Sequence, residues 1–456
     1  MSSELLLSRI RQNESLDASQ QRRLILMLSW PAILAQISVT VMQLIDASMV
    51  GQLGTNASAA IGLVASSTWL INGVSQGIVF GFSVQTAQAI GAKQYEKAGS
   101  LCRQGMLAVL MLSIPIALVG SLLSRQVPYW LGGQPEVVTD AGLYLMVFCC
   151  SLPFSLLNDW AVKMLQSAGD TKVPGLTQIV MCFLDVMFNA LFIYGMNLGV
   201  LGAALGTMSA IVCAGLFLTG WVYLKNPFLK RKASFRFHQS SISKALQIGI
   251  PISIEQLITG ASYVAFTRIV STLGTVSVAA NSFAITAESL CYMPGYGCAS
   301  AATAIVGQAV GAGRNDLAKE VSWRITRIAM IMMSCSGVLM FVLSQNLMAM
   351  LTPVIEVQQL GARLLRLEAF AEPMYGASIA ITGILRAKGD TIWPACLNFI
   401  SIWCVRIPIA WFLSSRMGLI GPWIAMNIEL NVRGLLFLFR LRHAFQARRK
   451  AALAAQ

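Results

Sequence analysis

Charged residues are scarce in this sequence. Among its 456 residues, 33 are Lys or Arg and 19 are Asp or Glu, which is 11% against roughly 25% in ordinary soluble domains. Hydrophobic residues make up 56%, and the mean hydropathy is +0.67. A water-soluble fold of this composition would leave large apolar areas in contact with water. The composition argues against a soluble enzyme and predicts a protein that crosses the bilayer many times.

Histidine is rarer still, and the cysteines form no metal-binding pattern. The two histidines, His238 and His443, both fall in basic polar segments, so a metal site built on histidine has almost no material. The ten cysteines include no Cys-x-x-Cys pair, and most lie inside apolar runs, where they are expected to be small buried side chains. We therefore expect no metal ion and no cofactor.

Acidic residues are outnumbered by basic ones, and the net charge is +14. The basic residues occur in short clusters between apolar runs rather than on one continuous face, so nucleic acid is not the expected partner. Anionic lipid headgroups are the expected partner instead. Residues 1 to 24 are polar and contain no short apolar stretch that ends in a small-residue cleavage site, so no cleavable signal is expected.

Twelve apolar stretches are long enough to cross a bilayer, because a helix needs about 20 residues for a hydrocarbon core of roughly 30 Å. They cover residues 25–50, 58–84, 99–123, 138–165, 174–196, 200–224, 246–270, 277–304, 319–343, 358–384, 394–415 and 419–442. They lack sustained alternation and are about twice as long as a barrel strand. The predicted fold class is an all-α integral membrane protein with twelve transmembrane helices.

An internal repeat divides the chain into two halves. The segment Pro31–Gly54 parallels Pro251–Gly274, which begins 220 residues later, and LQSAGDTKVP from Leu165 parallels LRAKGDTIWP from Leu385 at the same separation. An even number of helices in each half gives both halves the same orientation. This predicts two six-helix bundles related by pseudo-two-fold symmetry, which in membrane proteins of this size favours alternating access over a mere relic of duplication.

The predicted domains follow from the repeat and from the charge clusters. They are an N-terminal tail (1–24), an N-terminal lobe (25–224), a basic linker (225–245), a C-terminal lobe (246–442) and a basic tail (443–456). If the chain crosses the membrane twelve times, most Lys and Arg lie on one side, and this side is expected to be the cytoplasm. Both termini and the linker are therefore expected to be cytoplasmic. The protein is expected in the inner membrane.

Ionisable groups at membrane depth are costly unless they are paired or hydrated, so each is a candidate for function. Asp46 lies near the outer end of the first helix, and the alternative to function is a carboxylate at the interface that reaches water. Asp185 and Asn189 are four residues apart on the fifth helix and share one face. They can hold a proton or a small cation, or they can form a structural hydrogen-bonded pair between helices.

The second half is richer in charge. Glu255, Glu288 and Glu372 all fall near mid-membrane. Arg406 lies as many residues after the turn at Gly389 as Glu372 lies before it, which predicts a salt bridge between the two, structural or functional with equal weight. Glu255 and Glu288 lack so obvious a partner, which favours them as ligands of a cation or substrate.

Aromatic residues and methionine are candidates for lining an adaptable cavity that takes flat hydrophobic molecules. They are Trp69, Tyr263, Tyr292, Met293 and Tyr375. For any single one of these side chains, packing against lipid or in the protein core is the more common role.

Several motifs together resemble the multidrug and toxic compound extrusion (MATE) antiporters. They are DASMVGQLG at the end of the first helix, the LQSAGDTKVP and LRAKGDTIWP pair, LGVLGAALGT, and YMPGYGCASAATAIVGQAVGAG on the eighth helix. The resemblance extends from about residue 20 to 445. It implies a V-shaped, two-lobe exporter, monomeric and not an enzyme, that exchanges protons or sodium ions for small organic, often cationic, compounds.

The resemblance also assigns residues. Asp46 matches the first-helix carboxylate used for cation coupling, and Thr207 matches a sixth-helix hydroxyl near that site. Family members with this site carry Asn and then Asp on the fifth helix, whereas here Asp185 precedes Asn189. Glu255 and Glu288 resemble acids of branches that place the ion or substrate in the C-terminal lobe.

Two other classes of function are alternatives. A lipid-linked sugar flippase of the same superfamily would need a cationic cavity suited to pyrophosphate, whereas most candidates here are acids. A membrane-embedded enzyme would need a compact catalytic cluster, for which the sequence offers no intramembrane His and no repeated Asp-rich motif.

Overall fold

The computed structural model describes residues 2–229 and 238–445, and all regular structure in this part of the chain is helical. The helices are α1 (Ser3–Arg11), α2 (Ala18–Gly51), α3 (Thr55–Gly91), α4 (Tyr95–Leu123), α5 (Gln126–Trp130), α6 (Pro135–Ser167), α7 (Lys172–Asn189), α8 (Gly199–Leu224), α9 (Gln239–Ser271), α10 (Thr275–Cys291), α11 (Met293–Gly311), α12 (Asn315–Leu351), α13 (Ile355–Glu368), α14 (Glu372–Lys388), α15 (Ile392–Phe399), α16 (Ile407–Met417) and α17 (Ile420–Ala444). π-Helical turns follow α7 (Ala190–Gly195) and α15 (Ile400–Arg406). Parts of the predicted basic linker and C-terminal tail, residues 230–237 and 446–456, lie outside the described residues.

The predicted spans are helical, but only some are long, unbroken and strongly apolar. Eight helices in the described chain meet that standard, and six of them belong to the first repeat. Two spans of the second repeat are broken, at Tyr292 between α10 and α11 and at residues 369–371 between α13 and α14. Proline lies within the first two positions of both α11 and α14, where its missing N–H interrupts a preceding helix.

Contacts divide the chain into two units that change partway along two helices. One unit contains Leu34–Ser253, and the other contains the residues up to Ile33 together with those from Ile254 onward. We call them the first unit and the second unit. The two changeover points, inside α2 and α9, are 220 residues apart and so are equivalent in the repeat. The sequence instead predicts that the boundary between the two lobes lies at the linker, and the limits of the lobes stay a prediction.

The first unit packs around α6. Trp160, Leu152 and Leu156 of this helix are fully buried against Phe82 of α3 and Leu218 of α8. The hydrophobic core therefore lies between the helices of this unit, while long apolar side chains elsewhere on the same helices are exposed, as expected for surfaces that face lipid.

The second unit packs α11, α12, α14 and α17 together, and α1 docks against the same core. Leu6, Leu7 and Ile10 of α1 are fully buried there. Arg11 donates from Nη1 to Oε1 of Gln308 at 3.1 Å. The polar N-terminal tail predicted from the sequence thus contains a helix whose apolar face is covered by the protein.

Candidate functional site

The amide of Asn189 joins two carboxylates in the first unit. Its nitrogen Nδ2 donates to Oδ1 of Asp46 at 2.8 Å and to Oδ2 of Asp185 at 3.1 Å. Asp185 and Asn189 are buried at 0% and 1% exposure, and Asp46 is half-buried. An amide nitrogen has two hydrogens, so Asn189 uses both on the two acids. We call Asp46, Asp185, Asn189 and Thr207 the carboxylate cluster.

Local geometry explains how Asn189 reaches both acids. The four-residue spacing puts Asp185 and Asn189 on one face of α7, and the helix widens into the π-helical turn immediately after Asn189. Gly206 of α8 lies against Asn189, because a Cβ at Gly206 would overlap Oδ1 of Asn189. Glycine at this position therefore allows α8 and α7 to approach closely around the cluster.

Unpaired oxygens remain in the carboxylate cluster. Oδ1 of Asp185 and Oδ1 of Asn189 are buried and accept no hydrogen bond in the described structure. The Thr207 hydroxyl lies beside the Asp185 carboxylate. Buried oxygens without a donor are costly, and a proton or a small hard cation with oxygen ligands would satisfy them. Although the order of acid and amide on α7 is reversed, Asp185 still lies close to Asp46, because both carboxylates accept from the same amide nitrogen of Asn189.

Glu255 is paired, and the prediction that it lacks a cationic partner is wrong. Nη2 of Arg386 donates to Oε2 of Glu255 at 2.8 Å, and Nδ2 of Asn398 donates to Oε1 at 2.6 Å. Arg386 belongs to the LRAKGDTIWP motif, just after the predicted span 358–384. Because α14 continues to Lys388, Arg386 is instead on a helix that packs within the second unit, and its side chain reaches Glu255.

Arg406 does not pair with Glu372, so that prediction is also wrong. Arg406 donates to Oε2 of Glu429 at 3.0 Å from Nε and at 2.7 Å from Nη2, while Arg433 donates from Nε to Oε1 at 2.7 Å. Glu429 is completely buried. Counting residues from Gly389 gives depth along a helix but not the direction of a side chain, and the π-helical turn that ends at Arg406 changes that direction.

Glu372 instead lies among acids that have no ion pair in the described structure. Among the described residues, no hydrogen-bond partner is found for the four buried carboxylate oxygens of Glu368 and Glu372, and each residue is 1% exposed. These two acids flank the break between α13 and α14. Glu288 is buried at 6% exposure on α10 and lies within electrostatic range of both. Glu288 and Glu372 therefore lie in one group of acids. Glu255 does not belong to this group, because it is paired with Arg386 and Asn398.

Tyr375 belongs to an aromatic cluster in the same unit. Its ring meets Tyr292 edge to face with centroids 5.6 Å apart, and Tyr292 meets Tyr296 at 5.8 Å. The guanidinium of Arg433 lies 6.0 Å from the Tyr375 centroid. Tyr263 and Tyr296 are partly exposed. This surface combines aromatic faces with the buried acids of α10 and α14.

Sequence reasoning missed several residues of these sites, among them Arg386, the partner of Glu255, and Tyr296 of the aromatic cluster. Glu429 and Arg433 are spaced four apart on the last helix, which is the pattern of an intrahelical ion pair and was available as a signal. Glu368 precedes Glu372 by four residues, a spacing that brings two like charges together rather than an ion pair. Asn398 carried none, since an amide in an apolar run points to no particular partner.

A membrane protein built from two repeated units, each with carboxylates buried away from lipid, is organised as a transporter rather than as an enzyme. The comparison with known families agrees. The MatE family model matches residues 31–191 and 251–412, two segments that begin 220 residues apart. The chain belongs to this family of multidrug and toxic compound extrusion transporters, and it is not an enzyme.

Curated relatives cover almost the same length. The chain is 26% identical over 428 residues to the probable multidrug resistance protein NorM of Thermotoga maritima, with 91% of each chain covered. It is 25% identical over 423 residues to the probable multidrug resistance protein YoeA of Bacillus subtilis, covering 89% of this chain and 90% of YoeA.

Solved structures show the fold. An outward-facing multidrug resistance MATE family transporter of the MOP superfamily superposes with a TM-score of 0.91 at 21% identity, with 99% of both chains covered. The bent form of the Vibrio cholerae MATE transporter VcmN gives 0.86 at 20% identity, covering 94% of this chain and 98% of that one. These structures confirm the predicted twelve-helix membrane fold, and the family model confirms the predicted family.

Proposed function

We propose that this chain is a secondary active exporter of the inner membrane, with both termini in the cytoplasm. It exchanges protons or sodium ions for organic, cationic and amphipathic compounds by alternating access. It works as a monomer without a cofactor. Membership of the MatE family and the multidrug resistance names of its relatives support the class of substrate.

The carboxylate cluster of the first unit is the observation that carries this proposal. Asp46 and Asp185 approach one amide nitrogen while oxygens of Asp185 and Asn189 stay unsatisfied. Two acids in one buried site repel each other unless a positive charge or a proton lies between them. Binding of the coupling ion therefore stabilises the cluster, and loss of the ion restores its negative charge.

The second unit supplies a surface for the organic part of the substrate. Tyr292, Tyr296 and Tyr375 form an aromatic cluster, and the faces of aromatic rings attract organic cations. Glu288 and Glu372 provide carboxylates without a paired cation in the described structure. Glu255 has a structural role instead, because it closes an ion pair between α9 and α14.

A lipid-linked sugar flippase remains the alternative, and the pairing of the arginines argues against it. Arg406 and Arg433 both donate to the one buried carboxylate of Glu429. A cavity that binds pyrophosphate needs arginines whose charges are available to the ligand, whereas the charges of Arg406 and Arg433 are already paired with Glu429.

Everted membrane vesicles test the proposal. Vesicles with the wild-type chain should accumulate a cationic dye when energised and should lose that accumulation with an ionophore that collapses the coupling gradient. Asp46→Asn and Asp185→Asn keep the shape of the side chain and remove its charge, so both should abolish accumulation at normal expression. Gradient-independent dye movement, or wild-type accumulation by both variants, would refute the proposed coupling site.

A further inference from the structure

A cavity of about 420 Å³ opens beside the first turns of α12 in the second unit. Its lining consists of three basic residues, two acidic residues and a tryptophan: Asp316, Lys319, Glu320, Trp323, Arg324 and Arg327. No proposed transport residue is among them. The cavity lies where the polar start of α12 gives way to an apolar span, since the helix continues to Leu351 and is apolar enough to cross a membrane.

The arginine nearest to the acids is already occupied. Nη2 of Arg324 donates to Oε1 of Glu320 at 2.8 Å, and Nη1 donates to the carbonyl oxygen of Ala18 at 3.3 Å. The ion pair neutralises Glu320, and the hydrogen bond to Ala18 ties the start of α2 to α12. Asp316 lies in the first turn of α12, where the positive end of the helix dipole compensates a carboxylate.

The remaining basic residues form a stripe with the tryptophan. Lys319, Trp323 and Arg327 are spaced four residues apart, so they share one face of α12. Lys319 and Arg327 are exposed, Trp323 is half-buried, and neither basic residue has an ion pair in the described chain. Arg22 does not line the cavity, but it is exposed one helical turn after Ala18, the residue that Arg324 contacts.

We propose that this cavity binds the headgroup of an anionic phospholipid of the phosphatidylglycerol type. Its phosphodiester would lie between Lys319 and Arg327, with the indole N–H of Trp323 as a further donor. Basic residues and tryptophan at the boundary of an apolar helix match a phosphate at the membrane surface and acyl chains beside the span. The bound lipid would also reach Arg22, and so would fasten α2 to α12.

The site is confined to the second repeat. The equivalents of Lys319, Trp323 and Arg327 on α4, 220 residues earlier, are Gly99, Arg103 and Leu107. The first repeat therefore offers a matched control: Lys93 and Lys97 are exposed basic residues near the start of α4, without the tryptophan stripe.

The test is native mass spectrometry of the full chain in a neutral detergent, titrated with phosphatidylglycerol or with phosphatidylcholine of the same acyl chains. Wild-type protein should retain phosphatidylglycerol preferentially. Lys319→Gln with Arg327→Gln should weaken that binding by roughly fivefold for each basic residue removed. Lys93→Gln with Lys97→Gln should leave it unchanged.

Two results would overturn the proposal. One is equal retention of both lipids by the wild-type chain. The other is an equal loss of phosphatidylglycerol in the two double variants, which would mean diffuse attraction to a basic surface rather than a built site. All four substituted residues are exposed, so a folding defect is not expected, and a melting curve of each variant verifies this.

Discussion

Asn189 is the residue on which the first-unit cluster depends. It donates to Asp46 of α2 and to Asp185 of its own helix, α7. Its side-chain oxygen stays buried without a hydrogen-bond partner in the described structure. The amide cannot rotate to satisfy that oxygen without losing a hydrogen bond to one of the acids. Its position is fixed by the contact with Gly206 of α8, so the cluster can be disturbed without touching any charge.

Gly206→Ala should therefore impair ion coupling. The new methyl group would overlap Oδ1 of Asn189 and push the amide away from at least one carboxylate. We expect loss of gradient-dependent dye transport in a protein that still inserts. Gly220→Ala, on the same helix, is the control and should transport normally, because a Cβ at this position would meet nothing within 4 Å. Equal activity of both variants would show that the placement of Asn189 is unimportant.

Glu429 is expected to be the structural acid of the second unit. Glu429→Gln would leave Arg406 and Arg433, whose side chains are only 13% and 11% exposed, without a counter-charge, which costs on the order of 3 kcal/mol. Glu368→Gln removes a carboxylate that has no hydrogen-bond partner among the described residues, so it should cost little. Thermal melts in detergent compare the two. A lower melting temperature for Glu368→Gln than for Glu429→Gln would contradict this assignment.

Sequence reasoning predicted the identity of many of these residues but not their partners. The spacing of Asp185 and Asn189 placed both on one face because a single helix fixes that relation. The contact of Asn189 with Asp46 joins residues 143 apart in the chain, and spacing cannot give it. Glu372 was matched with Arg406 by depth alone, and depth leaves the direction of both side chains open.

Among the helices, the contact between α3 and α9 depends on backbone atoms. A Cβ at Gly249 would lie 2.5 Å from the Gly77 carbonyl oxygen, and the Ser253 hydroxyl donates to the carbonyl oxygen of Val74 at 2.7 Å. Small residues allow two membrane helices to approach this closely. In the second unit, the repeat equivalent of Gly77 is Gly297, which packs against Ser29 and Ile33 of α2.

Gly249→Ala should destabilise the first unit. The added methyl group has no space against α3, and overpacking of this kind typically costs about 1–3 kcal/mol. The expected result is a lower melting temperature in detergent. Gly62→Ala on α3, where a Cβ meets nothing within 4 Å, provides the control and should melt like the wild type. An unchanged melt for Gly249→Ala would mean that the two helices separate without loss.

The positions of the helices could be predicted, whereas their interruptions could not. Apolar length sets the spans, and the described helices coincide with them. The breaks at Tyr292 and at residues 369–371 occur just before Pro294 and Pro373. In contrast, Pro153, the repeat equivalent of Pro373, lies inside the continuous helix α6. A proline permits a break, and the packing around it decides whether one forms.

At the scale of the whole molecule, the two repeats share a fold and differ in chemistry. The first unit holds Asp46 and Asp185 around one amide, with buried oxygens left unpaired in the described structure. The second unit holds one acid between two arginines, another in a pair with Arg386, and others beside tyrosines without an ion pair in the described structure. On the basis of this asymmetry we propose that ion coupling depends on the first unit and that the second unit contacts the organic part of the substrate.

Ion movement in proteoliposomes tests this assignment most directly. Vesicles that contain the purified chain should release protons or sodium ions across the membrane when a cationic substrate is added on the opposite side. Asp185→Asn should abolish this ion flux while substrate still binds, because the tyrosines and acids of the second unit are intact. Glu288→Gln should weaken substrate binding and leave the coupling of ion to transported substrate unchanged. Normal ion flux in Asp185→Asn, together with lost flux in a Glu288→Gln variant that still binds substrate, would contradict the account.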